Sequence, residues 1–147
     1  MIVGGNVSQA ARLLGRPYCF QGRVVKGFGR GRQLHFPTAN ITFDDPRKIC
    51  PGDGVYAIRA YHGTDQYIGM MDIGTRPTFP EAGRSLEAHL IDFEGDLYGC
   101  DVRIEVMERM REERRFSSPQ QLSEQMERDR ARVMALLSDS HVYSQTL

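Results

Sequence analysis

Apolar and polar positions divide this chain into a long strand-forming stretch and a shorter helical end. Val7 to Leu14 reads as a short helix stopped by Gly15. Tyr18 to Lys26 predicts a strand, and Ile41 to Phe43 a brief one. Gly54 to His62 and Gln66 to Ile73 predict two strands joined at Gly63-Thr64-Asp65. Leu86 to Phe93 and Val102 to Met110 predict a second pair, linked through Glu94-Gly95-Asp96. Ser118-Pro119-Gln120-Gln121 then opens a helix, with Ser118 as N-cap, Pro119 at the first helical position and Gln121 completing a capping box. Leu122, Met126, Val133, Leu136 and Leu137 give it an apolar stripe. Many short strands followed by one long helix argue a mainly β fold, an antiparallel barrel with the C-terminal helix laid against it.

Length and charge narrow the function classes. At 147 residues the chain suits one domain with a sizeable core. Basic and acidic side chains balance at 19 each, so no global field draws in nucleic acid. Only Lys26 and Lys48 are lysines; the other cations are arginines, the better bidentate phosphate clamps. Cys19, Cys50 and Cys100 are widely spaced and odd in number, as expected of free thiols in a reducing cytoplasm. The histidines form no zinc motif, and no long apolar run predicts a membrane span. The expectation is a soluble cytoplasmic protein without membrane partners. Ser138 to Leu147 reads as a frayed tail.

The segment with the richest chemistry is Gly27-Phe28-Gly29-Arg30-Gly31-Arg32, followed shortly by Phe36-Pro37-Thr38-Ala39-Asn40. Glycines let a backbone approach a phosphate and aim successive N–H groups at it. Pro37 stiffens the start of the second segment, and Thr38 and Asn40 offer two neutral oxygens that share a face in an extended stretch. Such oxygens suit magnesium. No Gly-Lys-Ser/Thr comes after the glycines, so this is not a P-loop. By pattern alone, a mobile hairpin connection or a basic patch for RNA competes with the nucleotide reading.

Phosphoryl transfer also asks for a group that takes the acceptor's proton. Glu87 interrupts an apolar strand, with His89, Ile91 and Phe93 at period-two positions, so burial there would make it a better base near neutrality. Pattern alone favours a plainer role, a half-exposed strand residue paired with an arginine. Asp92, Glu94 and Asp96 crowd a turn, and Glu112 and Glu113 lie in a charge run with Arg109, Arg111, Arg114 and Arg115.

The glycine loop with Phe36-Pro37-Thr38-Ala39-Asn40 resembles the signature of riboflavin kinases, most of all the C-terminal kinase module of bacterial bifunctional riboflavin kinase/FAD synthetases. Gly54-Val55-Tyr56-Ala57, Asp72-Ile73-Gly74-Thr75-Arg76-Pro77-Thr78-Phe79, Leu86-Glu87-Ala88-His89-Leu90-Ile91-Asp92-Phe93, Asp96-Leu97-Tyr98-Gly99 and Arg111-Glu112-Glu113-Arg114-Arg115-Phe116 come in the family's order. The similarity spans about Gln9 to Leu137. His35 and Asp72 depart from it, standing where the family usually has glycine and asparagine.

The resemblance implies a Greek-key β-barrel with a C-terminal helix, and an enzyme that moves the γ-phosphate of ATP to riboflavin, giving FMN and ADP with Mg2+. It implies nucleotide binding at Gly27, Phe28, Gly29, Arg30, Gly31, Arg32, Pro37, Thr38, Asn40 and Tyr98, with the metal at Thr38 and Asn40. It makes Glu87 the base and places flavin contacts at Thr75, Arg76, Arg111, Arg114 and Phe116. Residues 1–15 resemble the tail of an adenylyltransferase domain of a parent protein, residues 16–138 the kinase domain, and 139–147 a tail. FAD synthesis is not expected from this chain alone. A non-catalytic flavin-binding regulatory barrel is the alternative, kept alive by His35 and Asp72. A small RNA-binding barrel is the other.

Overall fold

The computed structural model describes residues 2, 4–25, 38–43, 50–75, 84–93 and 95–137. Among these residues the elements run in order α1 (Val7–Leu14), β1 (Tyr18–Val25), β2 (Ala39–Phe43), β3 (Gly54–His62), β4 (Asp65–Thr75), β5 (Arg84–Leu90), β6 (Asp101–Arg111) and α2 (Pro119–Leu137). The strands close into a barrel in the order β1-β2-β5-β4-β3-β6, every pairing antiparallel. Three sequential strands, β3 to β5, form a meander, and β2 lies beside β5 after a long connection. That is a Greek key.

The order corrects one expectation. Strands β5 and β6 are not a pair: β5 lies between β2 and β4, and β6 lies between β1 and β3. Nor does the fifth strand reach Phe93. It ends at Leu90, and Asp92 takes a positive φ of 58° in the turn that leaves the sheet. The β3–β4 hairpin is tighter than expected, because Asp65 already pairs with His62 and only Gly63-Thr64 lie between them.

Alternation sorts the wall into two faces. Phe20, Ile41, Tyr56, Ile58, Met71 and Ile104 fill the interior, where each fully buried large apolar side chain contributes about 1.5–3 kcal/mol. Gly69 has a steric reason to be glycine: a Cβ there would collide with the backbone carbonyl of His89 on the facing strand.

On the outer face, α2 covers Val55, Ala57, Met70, Ile91 and Met110 with Val133 and Leu137. Its start matches the expected box with one change. Ser118 Oγ accepts from Gln121 N at 3.2 Å, but the Gln121 side chain accepts from Ser117 N and Oγ, one residue further out. The apolar stripe also holds two polar members the pattern passes over, buried Gln125 and Asp129. Asp129 accepts from Arg111 Nε and Nη2 at 3.0 and 2.8 Å and from Gln125 Nε2 at 2.9 Å, so the acid in the stripe clamps α2 to the end of β6. Arg59 reaches the helix's other end, donating to the Leu137 carbonyl at 3.4 Å, where a cation complements the dipole.

Helix α1 stops at Gly15, which adopts the left-handed region at φ 77°. Val7 is buried in the same cluster as the barrel interior. Arg109 donates to the Asp53 carbonyl at 2.9 Å and packs against Gly5 and Gly54.

Candidate active site

Strand register brings together residues far apart in sequence. Asn40 of β2 lies directly opposite Glu87 of β5, and Glu87 lies directly opposite Asp72 of β4. The same lateral row continues through Val55 of β3 to Arg111 of β6, and on its other side reaches Val25 of β1. Directly opposed residues share a face, with Cβ atoms about 4.5–5.5 Å apart. The face is the outer one, since the neighbours Ile41, Leu86, Ala88, Met71 and Ile73 all point into the interior. Asn40, Glu87 and Asp72 are each half-buried. Thr38 precedes β2 and is also half-buried. Two positions along the chain from Asn40, it extends the polar edge of the row.

Glu87 therefore sits between an amide and a second acid, not only among the apolar residues expected from its own strand. His89 and Ile91 are both buried, although Ile91 lies in the turn beyond the end of β5. Asp72 was legible in sequence as a departure from the family pattern; the signal missing there was register, which alone puts it opposite Glu87.

The turn carrying Tyr98 is pinned to β1. Gly99 N donates to the Val24 carbonyl at 2.9 Å, and Val24 N donates to the Cys100 carbonyl at 3.0 Å. Tyr98 N donates to Asp96 Oδ1 at 2.8 Å, and the residue is 54% exposed. Leu97 anchors the turn in the core. Tyr98 thus stands near the end of β1 that leads to the glycine segment. Gly27, Phe28, Gly29, Arg30, Gly31, Arg32, His35 and Pro37 lie outside the described residues, as does Arg76, and Thr75 is described by its backbone alone, as the last residue of β4.

On the other side of the row runs the segment after β6. The Glu113 carboxylate packs against the Cα of Gly74, two residues beyond Asp72 on the same strand. Arg111 lies 5.9 Å from the centre of the Phe116 ring and donates to the Glu112 carbonyl at 3.0 Å. With its other nitrogens on Asp129, this guanidinium ties the segment's start to α2. Arg114 is exposed and Phe116 half-buried. Among the described residues no group of three or more His, Cys, Asp and Glu side chains is placed to hold a metal, and no helix is long and apolar enough to cross a membrane.

Fold and site define a closed six-stranded Greek-key barrel whose outer face carries Asn40, Glu87 and Asp72 side by side. A family model described as riboflavin kinase matches residues 14–137, and the chain belongs to that family. The bifunctional riboflavin kinase/FMN adenylyltransferase of Bacillus subtilis is 39% identical over 138 residues, covering 92% of this chain and 43% of the relative. Its counterpart in Escherichia coli K12 is 40% identical over 125 residues, covering 84% of this chain and 39% of the relative. The chain thus spans less than half the length of these relatives and corresponds to their kinase portion. A solved structure described as a macrolide-efflux protein from Streptococcus pneumoniae matches with TM-score 0.82 at 36% identity, over 88% of this chain and 42% of that one. The riboflavin kinase of Trypanosoma brucei shares the fold, with TM-score 0.60 at 24% identity over 84% of this chain and 81% of that one.

Proposed function

We propose that this chain is an ATP:riboflavin 5′-phosphotransferase, producing FMN and ADP, with Glu87 as the base. The carrying observation is the juxtaposition of Asn40 and Glu87 across β2 and β5. It joins an oxygen donor suited to a metal–nucleotide complex to a carboxylate able to take a proton, two groups from separate motifs. The nucleotide belongs on the β1–β2 side, with the glycine segment Gly27 to Arg32, Pro37 and Tyr98. The flavin belongs on the side of Thr75, Arg76, Arg111, Arg114 and Phe116. Since Arg111 already holds Asp129, its part is to position the segment from Glu112 onward.

In the reaction, the 5′-hydroxyl oxygen of riboflavin bonds to the γ-phosphorus as the bond to the bridging oxygen of ADP breaks. The hydroxyl proton passes to a Glu87 carboxylate oxygen. Thr38 and Asn40 would hold Mg2+. Both are neutral oxygen donors, the donor type that suits an ion taking much of its coordination from phosphates and water. Bound there, the ion supplies charge neutralisation at the phosphate oxygens. Cys19, Cys50 and Cys100 are joined by no disulfide among the described residues, in keeping with work in a reducing cytoplasm.

Incubation with riboflavin and Mg-ATP, with the products separated by chromatography, is expected to accumulate FMN and ADP. FMN with ATP is expected to release no pyrophosphate, because adenylyl transfer belongs to the other part of the bifunctional relatives. Absence of FMN from folded protein that binds Mg-ATP would overturn the assignment. Thr38→Ala and Asn40→Ala should each weaken Mg-ATP use, with the double variant losing little more than the worse single.

A further inference from the structure

We infer that Asp72 reads the ribityl chain of the flavin substrate and so sets which flavin polyols this chain accepts. The inference rests on the functional reading above and extends it to a residue that reading does not use. Strand physics alone would not choose the arrangement, since two acids directly opposite one another on adjacent strands oppose stability. Yet Asp72 and Glu87 stand in that relation on the face that carries Asn40, and both are half-buried.

The order of the row gives Asp72 its place. From β1 towards β6 it runs Val25, Asn40, Glu87, Asp72, Val55, Arg111. The nucleotide-side elements border the first of these residues. The segment after Arg111 borders the last, and it also touches β4 at Gly74, next to Asp72 on the same face. A substrate with its reacting hydroxyl at Glu87 and its ring system under Glu112 to Phe116 must cross Asp72. Adjacent strands lie about 4.8 Å apart, close to the advance of three or four carbon–carbon bonds along an extended chain. With the 5′-oxygen at Glu87, that distance brings the 2′-hydroxyl to Asp72. A carboxylate there accepts a hydrogen bond from a hydroxyl of one configuration and not from its epimer.

The test compares riboflavin with araboflavin, its 2′-epimer, by flavin fluorescence titration in the presence of Mg-ADP. Wild type, Asp72→Ala and Asp72→Asn are measured, with thermal unfolding and Mg-ADP affinity recorded for each. We expect wild type to prefer riboflavin. Asp72→Ala should collapse that preference by about tenfold or more, the worth of a hydrogen bond to a charged group, with Mg-ADP affinity unchanged. Asp72→Asn, which keeps an acceptor oxygen, should retain most of it. A preference unchanged in Asp72→Ala, or no preference in wild type, would overturn the role of Asp72 while leaving the kinase assignment intact. Wild type that binds Mg-ADP but neither flavin would overturn both.

Discussion

Two neighbouring rungs of the β4–β5 ladder show how one wall serves two purposes. Met70 faces His89, and both are buried on the outer surface of the barrel. Two residues along, Asp72 faces Glu87 on the same surface, and both stay half-buried. Backbone geometry and side-chain direction are shared by the two rungs. What separates them is the extent of α2, which lies over the Met70 cluster with Val133 and Leu137. Packing against the helix turns one rung into core, and the partly exposed rung beside it stays open to chemistry. Changes at the open rung should therefore cost activity and spare stability, and changes under the helix should cost stability first.

The largest expected effect falls at the open rung. Glu87→Gln keeps shape and hydrogen bonding but cannot take a proton, so turnover should drop about 10²- to 10⁴-fold while nucleotide binding and the unfolding midpoint hold. Near-normal turnover would make Glu87 structural and erase the contrast. Next is the clamp under the helix. Removing one member of a buried ion pair costs about 3–5 kcal/mol, so Asp129→Ala should lower urea stability on that scale, since it strands Arg111. Pairing it with Arg111→Met should recover part of the loss. An Asp129→Ala protein as stable as wild type would show that α2 does not need the clamp.

Smaller effects refine the same division. Ser118→Ala removes the N-cap of α2 and should cost about 1 kcal/mol in denaturant titrations, with the affinity for Mg-ADP unmoved. The gentlest probe lies on the outer wall away from both rungs. Burial, and then the hydrogen bond to Glu105, raise the Tyr61 phenol above its ordinary value. A raised value means that the folded state holds the proton longer, so this contribution is whole below the ordinary phenol pKa of 10.0 and is lost as pH climbs through the folded one. Tyr61→Phe should flatten that part of the alkaline stability curve, and an unchanged slope would count against the shift.

The sequence made some of this legible and hid the rest for physical reasons. Helix α1 and its glycine stop, the start of α2 and the β3–β4 hairpin were readable because caps, turns and hairpins are local. The pairing of β5 with β2 was not, because neighbours in a chain need not be neighbours in a sheet. Asp129 was passed over because a polar residue in an apolar stripe looks like an interruption until its partner on another strand is known. The site shows the same limit. Asn40 and Glu87 each stood out within a separate motif, while their facing positions, and the place of Asp72 beside them, exist only in the register.

Closure of the barrel has a consequence in time. Strand β1 finds one of its two partners in β6, with Tyr18 opposite Val106 and Arg23 opposite Asp101. The seam cannot be sewn until the last strand has been made, whereas the β3–β4 hairpin can form as soon as its own residues are free. Non-local pairing of this kind places folding on the millisecond-to-second scale of barrels, not that of helical bundles. On the ribosome, the meander of β3, β4 and β5 would wait with its inner face uncovered until residues 101–111 emerge. A pulse of hydrogen exchange during refolding should accordingly find the β3–β4 amides protected first and those shared by β1 and β6 last.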